Sequence, residues 1–432
     1  MRANLVLAVA VLLVGCVGLA DPSGAAPPPP TPAVQLVCGA TITTSVRLAN
    51  DLIDCPGNGL IIGADGITLD LGGHTVDGDG TVRPGCPPDE ACNVGIVNST
   101  GADGRPGAGP GHRGVTITNG TITGFGEFGI YGESVVDNRV RDLRVSDNPL
   151  GGVGWCGAAS SVMERVRASS NGVGLSVYCP DRDSHDVRIQ DNVVKSSGDI
   201  QIFVFHGSRI RIERNTVSGG SAFAGIFLFD GPDHVRVSGN RVSGAAVGIL
   251  IDHANFNEVS ANDVFGNSDD IAVFGDRNTV LANRVSDAVG CPDDPNCGAG
   301  ISIDGGRGNV VARNLVRRTA GDGIRVAAFD PDTPNVASIV ARNNVADAAG
   351  DGYSVGTVGD GSLGSTRLDQ NIATRSGDDG FDIDSPLTVM TSNLATRNRD
   401  LGIEAVPGVI DGGGNRARAN GNPAQCTNIA CA

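Results

Sequence analysis

This chain of 432 residues is poor in several things at once. It has one lysine, Lys195, one tryptophan, three tyrosines, three methionines and only 4% aromatics. Positive charge is scarce: 32 Lys and Arg face 48 Asp and Glu, a net charge of −16. That balance argues against nucleic acid and anionic lipid as partners, and admits an acidic polysaccharide only where local positive charge or a bound cation exists. After the first twenty residues no segment has the period of an amphipathic helix, so an all-β chain is expected. No Cys/His spacing suggests zinc, and there is no phosphate loop and no catalytic serine motif. Few methionines and paired cysteines count against a periplasmic metal-delivery protein.

Glycine, by contrast, is abundant at 64 residues, and so is a repeat. Val235 to His253 reads V-R-V-S-G-N-R-V-S-G-A-A-V-G-I-L-I-D-H. The pattern apolar-x-apolar, Asn, x-Val, a Gly-containing turn and Gly-Ile-x-apolar recurs about every 23 residues. Each copy is three short alternating segments separated by turns. Such a unit cannot bury its own apolar side chains and must stack on its neighbours. The repeat asparagines are Asn192, Asn215, Asn240, Asn262, Asn283, Asn314, Asn343 and Asn393. Steps of 21 to 25 mark regular coils, whereas 31 (283 to 314) and 29 (314 to 343) mark coils with inserted loops. About a dozen coils of a parallel β-helix, a single-stranded solenoid, are predicted. A β-sandwich is the alternative, but it would not require an Asn at the same phase of every unit.

The ends differ from the repeat. Arg2 and the apolar Leu5 to Leu13 read as a signal peptide over 1–20. Leu13-Val14-Gly15-Cys16 resembles a lipobox, making Cys16 the lipidated residue of a secreted or cell-surface bacterial lipoprotein; ordinary cleavage after Ala20 is the rival. The membrane would then be met only through that anchor, and the protein is expected to be a monomer. Residues 21–35, with Pro27 to Pro30, have the composition of a tether. Segments 36–60 and 411–432 are expected as caps on a β-helix over 61–410. Eleven cysteines leave Cys16 over after five local pairs: Cys38 with Cys55, Cys86 with Cys92, Cys156 with Cys179, Cys291 with Cys297, and Cys426 with Cys431. Cys156 and Cys179 are one coil apart, within disulfide reach, and disulfides imply an oxidising compartment.

Aligning the Gly-Ile strands by their inward residues predicts two outward columns. One holds Ser176, Phe203, Phe227, Leu250, Ala272, Ser302, Arg325, Ser354, Asp382 and Glu404. The other holds Tyr178, Phe205, Phe229, Asp252, Phe274, Asp304, Ala327, Gly356 and Asp384. Aromatics are thus concentrated on one face of an aromatic-poor chain, and a contiguous stripe marks a contact surface suited to sugar rings. Burial beneath long loops is the plainer explanation. Four of the six histidines, His185, His206, His234 and His253, fall in the same coils. His206, Asp230, Asp252 and His253 beside Tyr178 suit abstraction of the C5 proton of a uronic acid. Phe203, Phe205, Phe227, Phe229, Phe274 and Arg209 are the expected substrate contacts. Asp322, Asp351 and Asp379 each precede the Gly of an outer strand. With Asp378, Asp382 and Asp384 they offer oxygen ligands for Ca²⁺, against the simpler role of turn-forming residues.

The repeat resembles the pectin-lyase-like superfamily of right-handed parallel β-helices, in particular secreted bacterial β-helix-repeat proteins, over roughly residues 60–410. The resemblance implies that the Asn sits between the second and third strands, and that the Gly-Ile strand is the first, whose outer face lines the substrate groove. It implies a polysaccharide lyase or uronan C5-epimerase, or equally an adhesin or envelope scaffold without chemistry. Tyr178-Cys179-Pro180-Asp181 through His185 is loosely similar to the Tyr/Asp/His cluster of β-helix alginate epimerases, and Cys179 departs from it.

Overall fold

A computed structural model describes residues 31–81, 93–99, 109–220, 222–292, 297–328, 334–357 and 361–432. Cys16, the expected signal peptide and most of the expected tether lie outside the described residues. Two parallel sheets wind round one interior. Among the described residues a front sheet has 16 strands, of which 15 follow one unbranched path; the other, Asn335–Val336, pairs off it with Ile301–Arg307. A back sheet has 28 strands and takes two from most coils. Every strand pairing is parallel between consecutive coils, as in Ile200–Phe205 against Ala224–Phe229 and Arg211–Glu213 against Arg236–Ser238.

The interior is a stack of aliphatic residues, one or two per strand. Leu175 and Val177, Ile202 and Val204, Ile226 and Leu228, Ile249 and Ile251, and Ile271 and Val273 are all fully buried. Period-2 alternation puts these residues inward and their neighbours outward. The Gly of each Gly-Ile pair is there for space. A Cβ on Gly225 would lie 2.6 Å from both the Gly248 carbonyl oxygen and the Val242 side chain.

Asparagine turns the corner of the back sheet. Asn192, Asn215, Asn240, Asn262, Asn283, Asn314, Asn343, Asn371, Asn393 and Asn415 form one buried ladder. In each step the Nδ2 amide donates to the Oδ1 of the next coil at 3.0–3.1 Å, as from Asn262 to Asn283 and from Asn371 to Asn393. It also donates to a backbone carbonyl, Val237 in the case of Asn262. The residue before each is left-handed, for example Arg214 (φ 54°), Ala261 (54°) and Gln370 (55°). Asn371, which the repeat count passes over, is a ladder member 28 residues after Asn343.

Residues 36–60 carry strands of both sheets: Ala40–Ile42 pairs with Leu60–Ile62 in the front sheet, and Val46–Leu48 with Thr68–Asp70 in the back. At the other end Arg416–Arg418 pairs with Leu394–Thr396, and Cys426 bridges to Ile403. Both expected caps are thus wound as coils, which is why the rungs outnumber the dozen counted from the repeat. Disulfides join Cys38 to Cys55, Cys156 to Cys179, Cys291 to Cys297 and Cys426 to Cys431. The fifth expected pair is not among these four: Cys86 and Cys92 both lie outside the described residues. Four bridges are the mark of an oxidising, extracytoplasmic compartment.

Candidate functional site

Five consecutive front strands set the outer face: Val173–Tyr178, Ile200–Phe205, Ala224–Phe229, Val247–Asp252 and Asp269–Phe274. Their register puts Tyr178, Phe205, Phe229, Asp252 and Phe274 in one vertical row. Ser176, Phe203, Phe227, Leu250 and Ala272 form the row beside it. The second row continues through Ser302, Arg325, Ser354, Asp382 and Glu404. The first does not: a register shift after Val273 sets Phe274 opposite Gly305. Asp304, expected next in that row, is instead buried beside Ser302, whose hydroxyl donates to it at 2.5 Å, and Arg325, at 3.4 Å.

The rings pack on one another outside the main core. Tyr178 and Phe205 have centroids 5.0 Å apart, Phe205 and Phe229 5.8 Å, Phe203 and Phe227 5.5 Å, and Phe227 and Phe229 5.2 Å. Phe227, Leu250 and Ala272 are buried in this second cluster, with Phe203, Phe229 and Phe274 packed against it. Tyr178 stays 46% exposed at one end, so the stripe ends in an open aromatic face. Phe223, 50% exposed, stands edge-on to Phe227 at 5.7 Å. It sits in the turn before its strand, off the repeat phase, so column alignment could not find it.

The imidazoles stand where the front strands end. His206, Asp230 and His253 occupy the same phase of three successive coils, each left-handed at φ 51°, 50° and 49°. Amides run down the stack, Asp230 N–H to the Asp252 carbonyl at 3.0 Å and Gly231 N–H to the His253 carbonyl at 2.9 Å. His206 lies flat on Phe205 at 4.3 Å, with Nε2 3.6 Å from an Asp230 oxygen. His253 places Nδ1 2.7 Å from Asp252 and its ring edge-on to Phe229. With Nδ1–H donating to Asp252, Nε2 is the free acceptor.

Arg209 stands apart from this group. It sits in the turn before the back-sheet strand Arg211–Glu213 and is held bidentately by Asp186 at 2.9 and 3.0 Å; His185 bonds the same carboxylate at 2.9 Å, and these donors hold Asp186 down at about 2. The same device recurs, Arg on one coil clasping Asp on the coil before it, in Arg165–Asp142, Arg214–Asp191, Arg318–Asp287 and Arg375–Asp347. All these residues are left-handed. That conformation, which no pattern of residue types announces, aims both side chains along the axis.

The acidic coils make a ladder of another kind. Asp322 accepts the Asp351 N–H at 3.0 Å, Asp351 the Asp379 N–H at 2.8 Å, and Asp379 the Leu401 N–H at 2.6 Å. Burial first, then the Asp322 charge, pushes Asp351 up to about 8. Burial and the Glu404 hydrogen bond do the same for Asp379. Burial and the Asp384 charge raise Asp382 to about 7. One cluster among the described residues has the geometry to hold a metal ion: Asp378, Asp379 and Asp400, with one carboxylate oxygen from each within 4.8 Å of the others. Of the expected ligands Asp378 and Asp379 belong to it, and Asp400 joins them from the next coil. Asp351 lies one coil before with its carboxylate engaged by a turn amide, and Asp382 and Asp384 project from further along the strand.

Among curated proteins none matches this sequence. Of solved structures, the A-module of a mannuronan C-5 epimerase of Azotobacter vinelandii superposes with a TM-score of 0.51 at 11% identity, covering 81% of this chain and 90% of that one. A Paenibacillus alginate lyase gives 0.38 at 14%, covering 72% and 98%. The Dettilon tailspike protein gives 0.41 at 16%, covering 74% and 62%. At such identities the likeness is one of fold. The family model for the right-handed β-helix region matches residues 89–242, 181–333 and 224–385. Those matches span more than half of the sequence and agree with the strand stacking, so the chain belongs to the right-handed β-helix family.

Proposed function

We propose that the front face from Tyr178 to Phe274 binds an acidic polysaccharide and acts on it by proton abstraction. The single observation that carries this reading is the in-register aromatic row ending against two imidazole–carboxylate pairs. Sugar rings lie on Tyr178, Phe205 and Phe229. Nε2 of His253, oriented by Asp252, takes the C5 proton of a uronic acid, and the electron pair passes into its carboxyl group. Return of a proton to the opposite face, from Tyr178 or His206, gives the C5 epimer. Expulsion of the 4-linked oxygen instead gives a C4–C5 double bond and chain cleavage. The likeness to a mannuronan C-5 epimerase supports the fold that such a face needs.

Secretion, a Cys16 lipid anchor and a tether over 21–35 belong to the same proposal. So does Ca²⁺ at Asp378, Asp379 and Asp400, since three carboxylates with no nitrogen or sulfur ligand favour a hard cation. A second reading, a binding scaffold without chemistry, is favoured by one observation. Arg182 and Arg209 are committed elsewhere, to Glu133 and to Asp186, and neither is left to neutralise a substrate carboxylate.

The test incubates the protein with alginate, pectate and glycosaminoglycans in D₂O. Absorbance reports unsaturated ends and NMR reports deuterium at C5. Exchange or cleavage that His253→Ala abolishes is the expected result. Activity unchanged in both His206→Ala and His253→Ala overturns the catalytic reading, and retained binding with no exchange by the wild type establishes the scaffold.

A further inference from the structure

The back sheet carries a feature that neither the front-face chemistry nor the structural ladders use. Arg188, Arg211 and Arg236 occupy one outward row on three successive coils. Parallel strands lie about 4.8 Å apart, so three guanidinium groups are stacked at that interval. Like charges directly opposite across strands are unfavourable. Arg236 has a carboxylate 3.6 Å away, Glu258. The guanidinium groups of Arg188 and Arg211 have no hydrogen-bond or ion-pair partner among the described residues, although acidic residues outnumber basic ones by 48 to 32 in this chain. Their neighbours show what pairing would look like, because Arg209 and Arg214 are clasped bidentately by Asp186 and Asp191.

These residues surround a concavity of about 310 Å³ that Asp186, Arg209 and His234 complete. At its rim the His234 ring lies parallel to Phe256, with centroids 5.6 Å apart and an interplanar angle of 3°. His234 also bonds Asp233 at 3.1 Å, and Phe256 is 45% exposed. Flat platforms beside free guanidinium groups suit a ligand with both a ring face and an anionic oxygen pair.

We infer that this row is an anion-binding site on the outer face of the back sheet, taking a short stretch of acidic saccharide with a carboxylate or sulfate on each of two or three successive residues. The occupant is a saccharide rather than nucleic acid on grounds of charge. Binding of nucleic acid draws its strength from neutralising many phosphates along the chain. Here two unpaired guanidinium groups and one shared with Glu258 lie in a molecule of net charge −16, which disfavours a long polyanion that would extend well past the row. A rigid row at regular spacing matches anionic groups repeated regularly along a chain. This site is separate from the front face and stands whether or not the front face is catalytic.

The test measures binding of the full chain to a defined oligouronate, a heparin-derived oligosaccharide and a DNA 12-mer by calorimetry, at low and at physiological salt. Binding of one saccharide or both is expected, weakened by salt, with the stronger of the two identifying carboxylate or sulfate as the recognised group. Arg188→Ser with Arg211→Ser should weaken it roughly tenfold or more, the scale of one lost charge-assisted contact. The comparison is made in a Phe205→Ala, Phe229→Ala background, so that front-face binding does not contribute, and there Arg214→Ser, whose guanidinium is already committed to Asp191, should leave it unchanged. All replaced arginines are exposed, and circular dichroism confirms the fold of each variant. The inference is overturned if the double variant binds like the wild type or DNA binds more tightly than either saccharide. It is equally overturned if the wild type binds neither saccharide at low salt, or if the row proves to hold a second copy of the chain, seen as a dimer that the double variant dissociates.

Discussion

Replacing Asn262 by alanine tests the asparagine ladder at its middle. Asn262 is 1% exposed. Its Oδ1 accepts the Asn240 N–H at 2.9 Å and the Asn240 Nδ2 at 3.0 Å, and its Nδ2 donates to the Val237 carbonyl at 2.9 Å and to Asn283 Oδ1 at 3.0 Å. Alanine removes all of these. Asn283 Oδ1 keeps the Asn262 N–H, but the Asn240 N–H and one Asn240 amide proton are left buried without partners, and the Val237 carbonyl loses its side-chain donor. At about 1–3 kcal/mol for each orphaned donor, and less than full additivity between neighbours, the expected cost is about 2–5 kcal/mol. Because each coil contacts only its neighbours, the loss should appear first as local opening. The assay is hydrogen exchange of the amides of residues 236–265, alongside the denaturant midpoint. Arg214→Ala is the control. It breaks a bidentate pair with Asp191 on the surface and should cost less than about 1 kcal/mol. If Asn262→Ala shifts the midpoint no more than Arg214→Ala does, the ladder is not what holds the coils in phase.

Other expectations concern charge, bridges and the face. Asp351 and Asp379 are held near 8, whereas the unfolded chain releases these protons near 4. Between those values the unfolded state binds fewer protons, so their contribution to stability falls as pH rises from about 4 to 8 and is level above that. Asp351→Asn should therefore match the wild type near pH 4 and exceed it at pH 9, by an amount on the order of 2 kcal/mol; a wild-type melting midpoint that climbs between pH 5 and 9 would contradict this. Ca²⁺ at pH 9 should raise the wild-type midpoint and leave Asp400→Asn unmoved, as scanning calorimetry can measure. Phe205→Ala with Phe229→Ala should weaken polysaccharide binding on an affinity gel while changing the melting midpoint little, since both rings lie outside the main core. Cys156→Ser with Cys179→Ser should lower stability by about 3 kcal/mol, the loop-closure value for a bridge spanning one coil, measured by denaturant titration.

The sequence alone determined that this is a stack of coils, and which residues point in or out. One period of about 23 residues and one alternation of two leave little freedom, since a shifted register would turn Ile226 and Leu228 to solvent. That reasoning placed Tyr178, Phe205, Phe229 and Asp252 in a vertical row, as the strand pairing has them. It could not see what depends on backbone conformation in the turns. The left-handed residues that aim Arg209 at Asp186 and carry His206 and His253 past the strand ends have no composition of their own: Asp, Arg, Ser, Ala and His all serve. Nor could it see the bulge after Val273 that buries Asp304 against Arg325, because one extra residue in a loop-bearing coil alters phase without altering pattern. Periodicity is a local constraint repeated many times, so it survives in the sequence. Which side chains meet across coils depends on turn geometry and loop length, and these are settled only when the coils are stacked.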